Sequence, residues 1–171
     1  KVVYHAYHTF LKNGFSVCRF NFRGVGKSEG KFDNGLGELS DAAAALDFIQ
    51  RNNANSNESW VVGFSFGALI SMQLLMRRPE IFRFISISPQ PNIFDFNFLA
   101  PCPTSGLVIH GDQDQLVPKD TMIVLKEKLV SQKNITVDFN EIKGANHFFT
   151  GKEKDLVDCI DGYIKKESRL F

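Results

Sequence analysis

The sequence predicts an α/β fold, a mainly parallel sheet with helices on both faces, and three observations carry that expectation. Short runs rich in β-branched and aromatic residues alternate with helix-spaced apolar faces along the chain. Helices standing between strands imply βαβ crossovers, which pair strands in parallel. A glycine-flanked serine, Gly63-Phe64-Ser65-Phe66-Gly67, closes one apolar run, Trp60 to Phe64, just where a helical pattern opens at Ala68-Leu69-Ile70.

Taken in order, Val3, Ala6, Tyr7, Phe10 and Leu11 recur at helical spacing before Asn13-Gly14, so the opening segment reads as an amphipathic helix with a glycine stop. Phe15 to Phe22 reads as a strand, and Arg23 to Gly30 as a glycine-rich loop. Leu39, Ala42, Ala43, Leu46 and Ile49 form the next helical face. The alternation continues as strand 59–64, helix 66–78, strand 83–88, an irregular stretch 89–105, strand 106–110, helix 119–132, strand 135–142 and helix 153–166. The long loop from Pro89 to Ser105 is of a length usually given over to function or motion. No repeat, low-complexity tract or linker interrupts the pattern, which predicts one domain over residues 1–171.

Composition narrows the classes of function. A formal net charge of +1 with scattered Lys and Arg offers no basic stripe for nucleic acid or an anionic membrane surface. No segment approaches a membrane-spanning apolar run, and the first residues lack the layout of a secretory signal. Three widely spaced cysteines, Cys18, Cys102 and Cys159, make no zinc or redox pair and suit a reducing, cytoplasmic setting. A small-molecule substrate, with no nucleic acid or membrane partner, is the expectation. The seventeen phenylalanines read first as core, since aromatic rings bury large areas.

The serine stands at a strand-to-helix turn, the setting of a nucleophile elbow, where flanking glycines let strand and helix cross closely and the hydroxyl is held clear of the sheet. Leu107 to Gly111 reads as a strand whose exit loop, Asp112-Gln113-Asp114-Gln115-Leu116-Val117-Pro118, offers two carboxylates. Asp114 is favoured over Asp112 because it lies deeper in the loop and precedes Val117-Pro118, where proline suits a helix start. After strand 135–142 comes Lys143-Gly144-Ala145-Asn146-His147-Phe148-Phe149, a loop with one histidine. Serine, histidine and aspartate form the acyl-transfer triad: imidazole takes the hydroxyl proton as oxygen attacks a carbonyl, and the carboxylate fixes the tautomer. His5 and His8 on the opening helix and His110 inside a strand read as packing residues. The backbone N–H of Phe66, opening the helix after the serine, is one expected oxyanion donor.

Gly24-Val25-Gly26-Lys27-Ser28 invites a phosphate-loop reading, but the spacing fails. Walker A needs a glycine where Asn21 stands, and a helix directly after Ser28, where Asp33 to Gly37 intervenes. The dinucleotide fingerprint would need its third glycine at Glu29.

Four stretches together resemble the α/β-hydrolase superfamily: Phe20 to Gly30, the elbow at 63–67, His110 to Pro118, and Gly144-Ala145-Asn146-His147. Their order, Ser then Asp then His, is the order of that superfamily. The likeness is to small bacterial members without a large cap, in the neighbourhood of dienelactone-hydrolase-like enzymes. It implies Ser65 as nucleophile, Asp114 as orienting acid, His147 as general base and Phe66 N–H as oxyanion donor. The implied reaction is hydrolysis of a carboxylic ester or related acyl bond through an acyl-enzyme, on a small-molecule acyl substrate, with no metal or organic cofactor. Phe64, Phe66, Phe148, Phe149, Phe94, Phe96 and Phe98 are candidate walls of an acyl pocket. The alternative is a non-catalytic binding protein that keeps the fold. Members of the superfamily carry about three strands before the opening helix, the third leading to the other oxyanion donor. The resemblance therefore implies a fragment lacking its N-terminal strands, and so poor folding or activity. Loss of one oxyanion donor costs about a hundredfold to a thousandfold in turnover.

Overall fold

The computed structural model describes residues 1–169. Four strands, β1 (Ser59–Phe64), β2 (Ile81–Ile87), β3 (Gly106–Gly111) and β4 (Val137–Ile142), form one sheet in the order β1-β2-β3-β4. Every pair is parallel, with Phe64 opposite Ile87, Ile87 opposite Ile109, and Gly111 opposite Ile142. Parallel strands share one C-terminal edge, so the loops after all four open on the same side of the molecule.

Five helices cover the sheet: α1 (Val2–Lys12), α2 (Leu36–Arg51), α3 (Phe66–Leu75), α4 (Lys119–Val130) and α5 (Glu153–Glu167). The strand side chains alternate between two apolar clusters. Phe84 and Val108 join Leu46 of α2, Ile70 of α3 and Leu125 of α4 on one face. Ile85, Ile87, Leu107 and Ile109 join Phe10 of α1 and Ile160 of α5 on the other. With both faces covered, β2 and β3 read as nearly continuous apolar runs, the signature of buried parallel strands. Burying a ring such as Phe84, which is fully inaccessible, contributes about 1.5–3 kcal/mol.

Local chemistry sets the element ends. Glu38, almost wholly buried in the first turn of α2, accepts the backbone N–H groups of Asp33 and Gly35 at 2.8 Å each, satisfying donors the helix start leaves open. Pro118 stands directly before α4. The connection from β2 to β3 carries only a short 3-10 turn, Asn97–Leu99, so the long loop read from the sequence is present. Among the described residues, no helix is long and apolar enough to cross a membrane.

One predicted element differs. Residues 15–22 form no strand: the segment lies across a groove of about 930 Å³ from β1 and joins no ladder among the described residues. Phe15, Val17, Phe20, Trp60, Val62 and Phe64 are among the groove's walls. The residues have the composition of a strand, but a strand exists only as one side of a ladder, and here the adjacent edge is held too far away. Phe15 instead packs edge-on against Phe10 and Trp60, with ring centroids 5.1 and 5.9 Å apart.

Candidate active site

Ser65 is the single residue between the end of β1 and the start of α3, so the whole change of direction falls on it. Its backbone takes φ 55° and ψ −118°. A left-handed φ at a non-glycine residue costs on the order of 1–3 kcal/mol and persists only when its surroundings enforce it. Here the Ser65 N–H donates to the carbonyl of Ile87 at 2.9 Å, and the Ser65 carbonyl accepts from Ala68 N–H at 3.0 Å. The crossing of strand and helix is equally tight. A Cβ on Gly63 would lie 2.2 Å from the Gly67 carbonyl oxygen and 2.4 Å from Ser71 Oγ, whereas one on Gly67 would meet nothing within 4 Å. Of the two flanking glycines, the first is the steric requirement.

The loop after β3 separates the two candidate carboxylates. Asp114 Oδ1 accepts the N–H groups of Leu116 and Val117 at 2.8 and 3.1 Å, which turns Oδ2 toward His147 Nδ1 at 2.7 Å. Asp112 faces elsewhere and accepts Gly144 N–H through Oδ1 at 2.6 Å. It ties the β3 loop to the loop after β4 but does not reach the imidazole.

His147 is brought in by that β4 loop. Gly111 makes the approach possible, since a Cβ there would stand 2.1 Å from the Ala145 carbonyl oxygen. That oxygen accepts Gln113 N–H at 3.0 Å. Asn146 Oδ1 then accepts the N–H groups of Phe148 and Thr150, at 3.1 and 3.0 Å, and closes the turn around the histidine. His147 Nε2 lies 3.0 Å from Ser65 Oγ. The imidazole and the Asp114 carboxylate are each only 4% exposed as side chains. A carboxylate accepting at Nδ1 places the imidazole proton there and leaves Nε2 free to accept from the serine hydroxyl. The Phe66 N–H, in the first turn of α3, donates to no protein acceptor among the described residues.

Three residues far apart in sequence thus meet in one hydrogen-bonded line. A fourth contact had no sequence signal. The Ser65 hydroxyl also has Gln90 Oε1 within 3.1 Å, from the loop after β2. The ring candidates divide: Phe64 and Phe148 flank the imidazole at centroid distances of 5.3 and 5.1 Å, and Phe94 lies 5.9 Å from Phe66. Phe149 and Phe96 are buried core residues, and Phe98 stacks on Phe96. His5 and His8 pack around Tyr4 on α1. His110 sits in β3 with Nδ1 4.0 Å from Glu141 Oε2, and burial pushes its pKa down despite that carboxylate. The Gly24 to Ser28 loop folds on itself through Gly24 N–H to Glu29 O and Ser28 N–H to Val25 O. With α2 starting only at Leu36, no helix N-terminus follows it to receive a phosphate.

Residues 2–105 match the family described as serine aminopeptidase, S33. The chain belongs to that family, within the α/β-hydrolases. This α/β-hydrolase is 50% identical over 168 residues to the uncharacterized protein RP471 of Rickettsia prowazekii, spanning 96% of the present chain and 71% of that one. Among solved structures it superposes on ATU1826 of Agrobacterium tumefaciens, a protein of unknown function, with a TM-score of 0.94 at 52% identity, covering 97% of this chain and 76% of that one. It is also similar to XC6422 of Xanthomonas campestris, described as an α/β serine hydrolase without a lid, with a TM-score of 0.87 and 33% identity over 96% of this chain and 72% of that one. The serine-hydrolase type of α/β fold described for XC6422 agrees with the geometry at Ser65.

Proposed function

We propose that this α/β-hydrolase cleaves a carboxylic ester or related acyl bond with Ser65 as nucleophile, His147 as general base and Asp114 as orienting carboxylate. One observation carries the reading: Ser65 Oγ, His147 Nε2, His147 Nδ1 and Asp114 Oδ2 form a continuous relay with heavy-atom separations of 3.0 and 2.7 Å. In the first step Oγ attacks the acyl carbon, the hydroxyl proton passes to Nε2, and the carbonyl electron pair moves onto oxygen. Phe66 N–H is placed to donate to that oxyanion. Collapse of the tetrahedral species breaks the bond to the leaving group, which departs with the proton from Nε2. A water then repeats the sequence on the acyl-enzyme, giving acid and free Ser65. Throughout, the Asp114 carboxylate holds the Nδ1 proton and stabilises the imidazolium.

The aromatic walls favour an apolar acyl group. Phe64 and Phe148 border the imidazole, and Phe148 is more than half exposed, leaving an apolar ring open to a substrate. The test is covalent labelling by an alkyl fluorophosphonate, followed by peptide mapping. The expected result is a single adduct on Ser65, absent in Ser65→Ala, with turnover of a short-chain aryl ester lost in the same variant. A folded protein that takes no label and turns over no ester would instead be a binding protein on a hydrolase scaffold.

A further inference from the structure

The loop leaving β2 carries an arrangement that the acyl-transfer scheme does not use. Residues 88–92 read Ser-Pro-Gln-Pro-Asn, with three polar side chains at alternate positions separated by two prolines. Each polar side chain bonds a different one of the three loops that bear the relay. Ser88 Oγ donates to the backbone carbonyl of His147 at 3.1 Å. Gln90 Oε1 accepts from Ser65 Oγ at 3.1 Å. Asn92 Nδ2 donates to the carbonyl of Leu116 at 3.0 Å, in the turn that Asp114 Oδ1 holds together.

The segment is itself rigid. Ser88 is fully buried at φ 46°, and its N–H donates to the Ile109 carbonyl of β3 at 2.8 Å. The prolines fix their own φ near −65° and restrict the residues before them. The Gln90 carbonyl accepts the N–H groups of Ile93 and Phe94 at 3.1 and 3.0 Å, which closes the end of the segment. A side chain mounted on such a base has little freedom at its backbone, so its amide is held in place before any substrate arrives.

We propose that residues 88–92 act as a strap that registers the three catalytic loops against one another, and that Gln90 is the positioning residue for the nucleophile. This rests on the acyl-transfer reading above. The serine hydroxyl has one proton and two acceptors, His147 Nε2 at 3.0 Å and Gln90 Oε1 at 3.1 Å. An amide oxygen is too weak a base to take the proton in the reaction, so it passes to the imidazole. Gln90 Oε1 shares that proton in the resting site and so holds Oγ between the two acceptors, within reach of Nε2. Without it the hydroxyl samples the other staggered wells, and the productive fraction falls.

The experiment measures the fluorophosphonate labelling rate at Ser65 as a function of pH in the unchanged protein, Gln90→Met and Gln90→Glu, with melting temperatures for all three. Methionine keeps the length and removes the acceptor; labelling is expected to slow about fivefold, the worth of one hydrogen bond of ~1 kcal/mol, with little change in melting temperature. Glutamate keeps an acceptor oxygen at the same reach and adds charge beside the imidazole. It should restore Oγ positioning at high pH while moving the acid limb of the profile upward, because a nearby anion favours the imidazolium. A purely structural role would lower the melting temperature of Gln90→Met along with its labelling rate, whereas positioning slows labelling at an unchanged melting temperature. If Ser65 of the unchanged protein fails to label, the acyl-transfer reading falls and the strap falls with it. If it labels and both variants match its rate and profile, the strap alone is overturned.

Discussion

Asp112 and Asp114 leave the same strand two positions apart and serve different partners, and that difference is measurable. Asp114 spends one oxygen on the Leu116 and Val117 amides and the other on His147 Nδ1. Asp114→Asn keeps the size but offers an amide where the imidazole needs an acceptor, which favours the wrong tautomer. The expected loss in ester kcat is about 10⁴-fold. Asp112→Ala removes only the bond to Gly144 N–H, so kcat should stay within a few-fold while stability falls by about 1 kcal/mol in urea unfolding. Equal kinetic losses in the two variants would show that the imidazole is not oriented by Asp114. At this scale the sequence was informative wherever a residue's chemistry announces it. Ser65, Asp114 and His147 are reactive types at the ends of three strands, β1, β3 and β4, in an order that few folds share. Gln90 announces nothing: a glutamine between prolines acquires a role only by meeting Ser65 across 25 positions, which composition and spacing do not encode.

Elements were legible to the extent that their signal is local. The helices follow apolar faces and stop signals, and the four paired strands lie within a few residues of their expected bounds. The segment 15–22 shows the limit, since it satisfies every local rule for a strand and lacks the one non-local requirement, a partner edge. The turn at Ser65 shows the converse, a non-local constraint written into one residue. β1 and α3 cross so closely at Gly63 that a methyl group there would overlap the Gly67 carbonyl, whereas at Gly67 there is open space. Gly63→Ala is therefore expected to cost about 1–3 kcal/mol, the usual penalty of overpacking. Gly67→Ala should leave stability unchanged or raise it by up to ~1 kcal/mol through better helix propensity. Denaturant midpoints of the two variants check this, and a tolerated Gly63→Ala would mean that the crossing is looser than the structure shows.

At the scale of the whole molecule, the sheet has one edge that stands out. β4 and β1 are its two edges, and β1 faces a groove, where its outward backbone groups have no partner among the described residues. Ser65 N–H points to Ile87 of β2, so by the alternation of a strand the amides of Val61 and Gly63 share that direction and those of Val62 and Phe64 face the groove. An open apolar edge of this kind is a pairing site and an aggregation liability. The groove also leads toward the reactive rim. Lys1 stands within electrostatic reach of Glu153 at the start of α5, shortly after His147, so α1 begins at the C-terminal edge of the sheet. A strand laid in the groove parallel to β1 would run to that edge. Hydrogen exchange tests this directly. In the 171-residue chain the Val62 and Phe64 amides should exchange at least about tenfold faster than those of Val61 and Gly63. In a form carrying residues ahead of Lys1, the first pair should become as protected as the second, and Ser65 should label faster, because the elbow would then be buttressed from both sides. Slow exchange at Val62 and Phe64 in the shorter chain would show that the edge is already covered in solution. Unchanged exchange in the longer one would show that the groove does not take a strand from that direction.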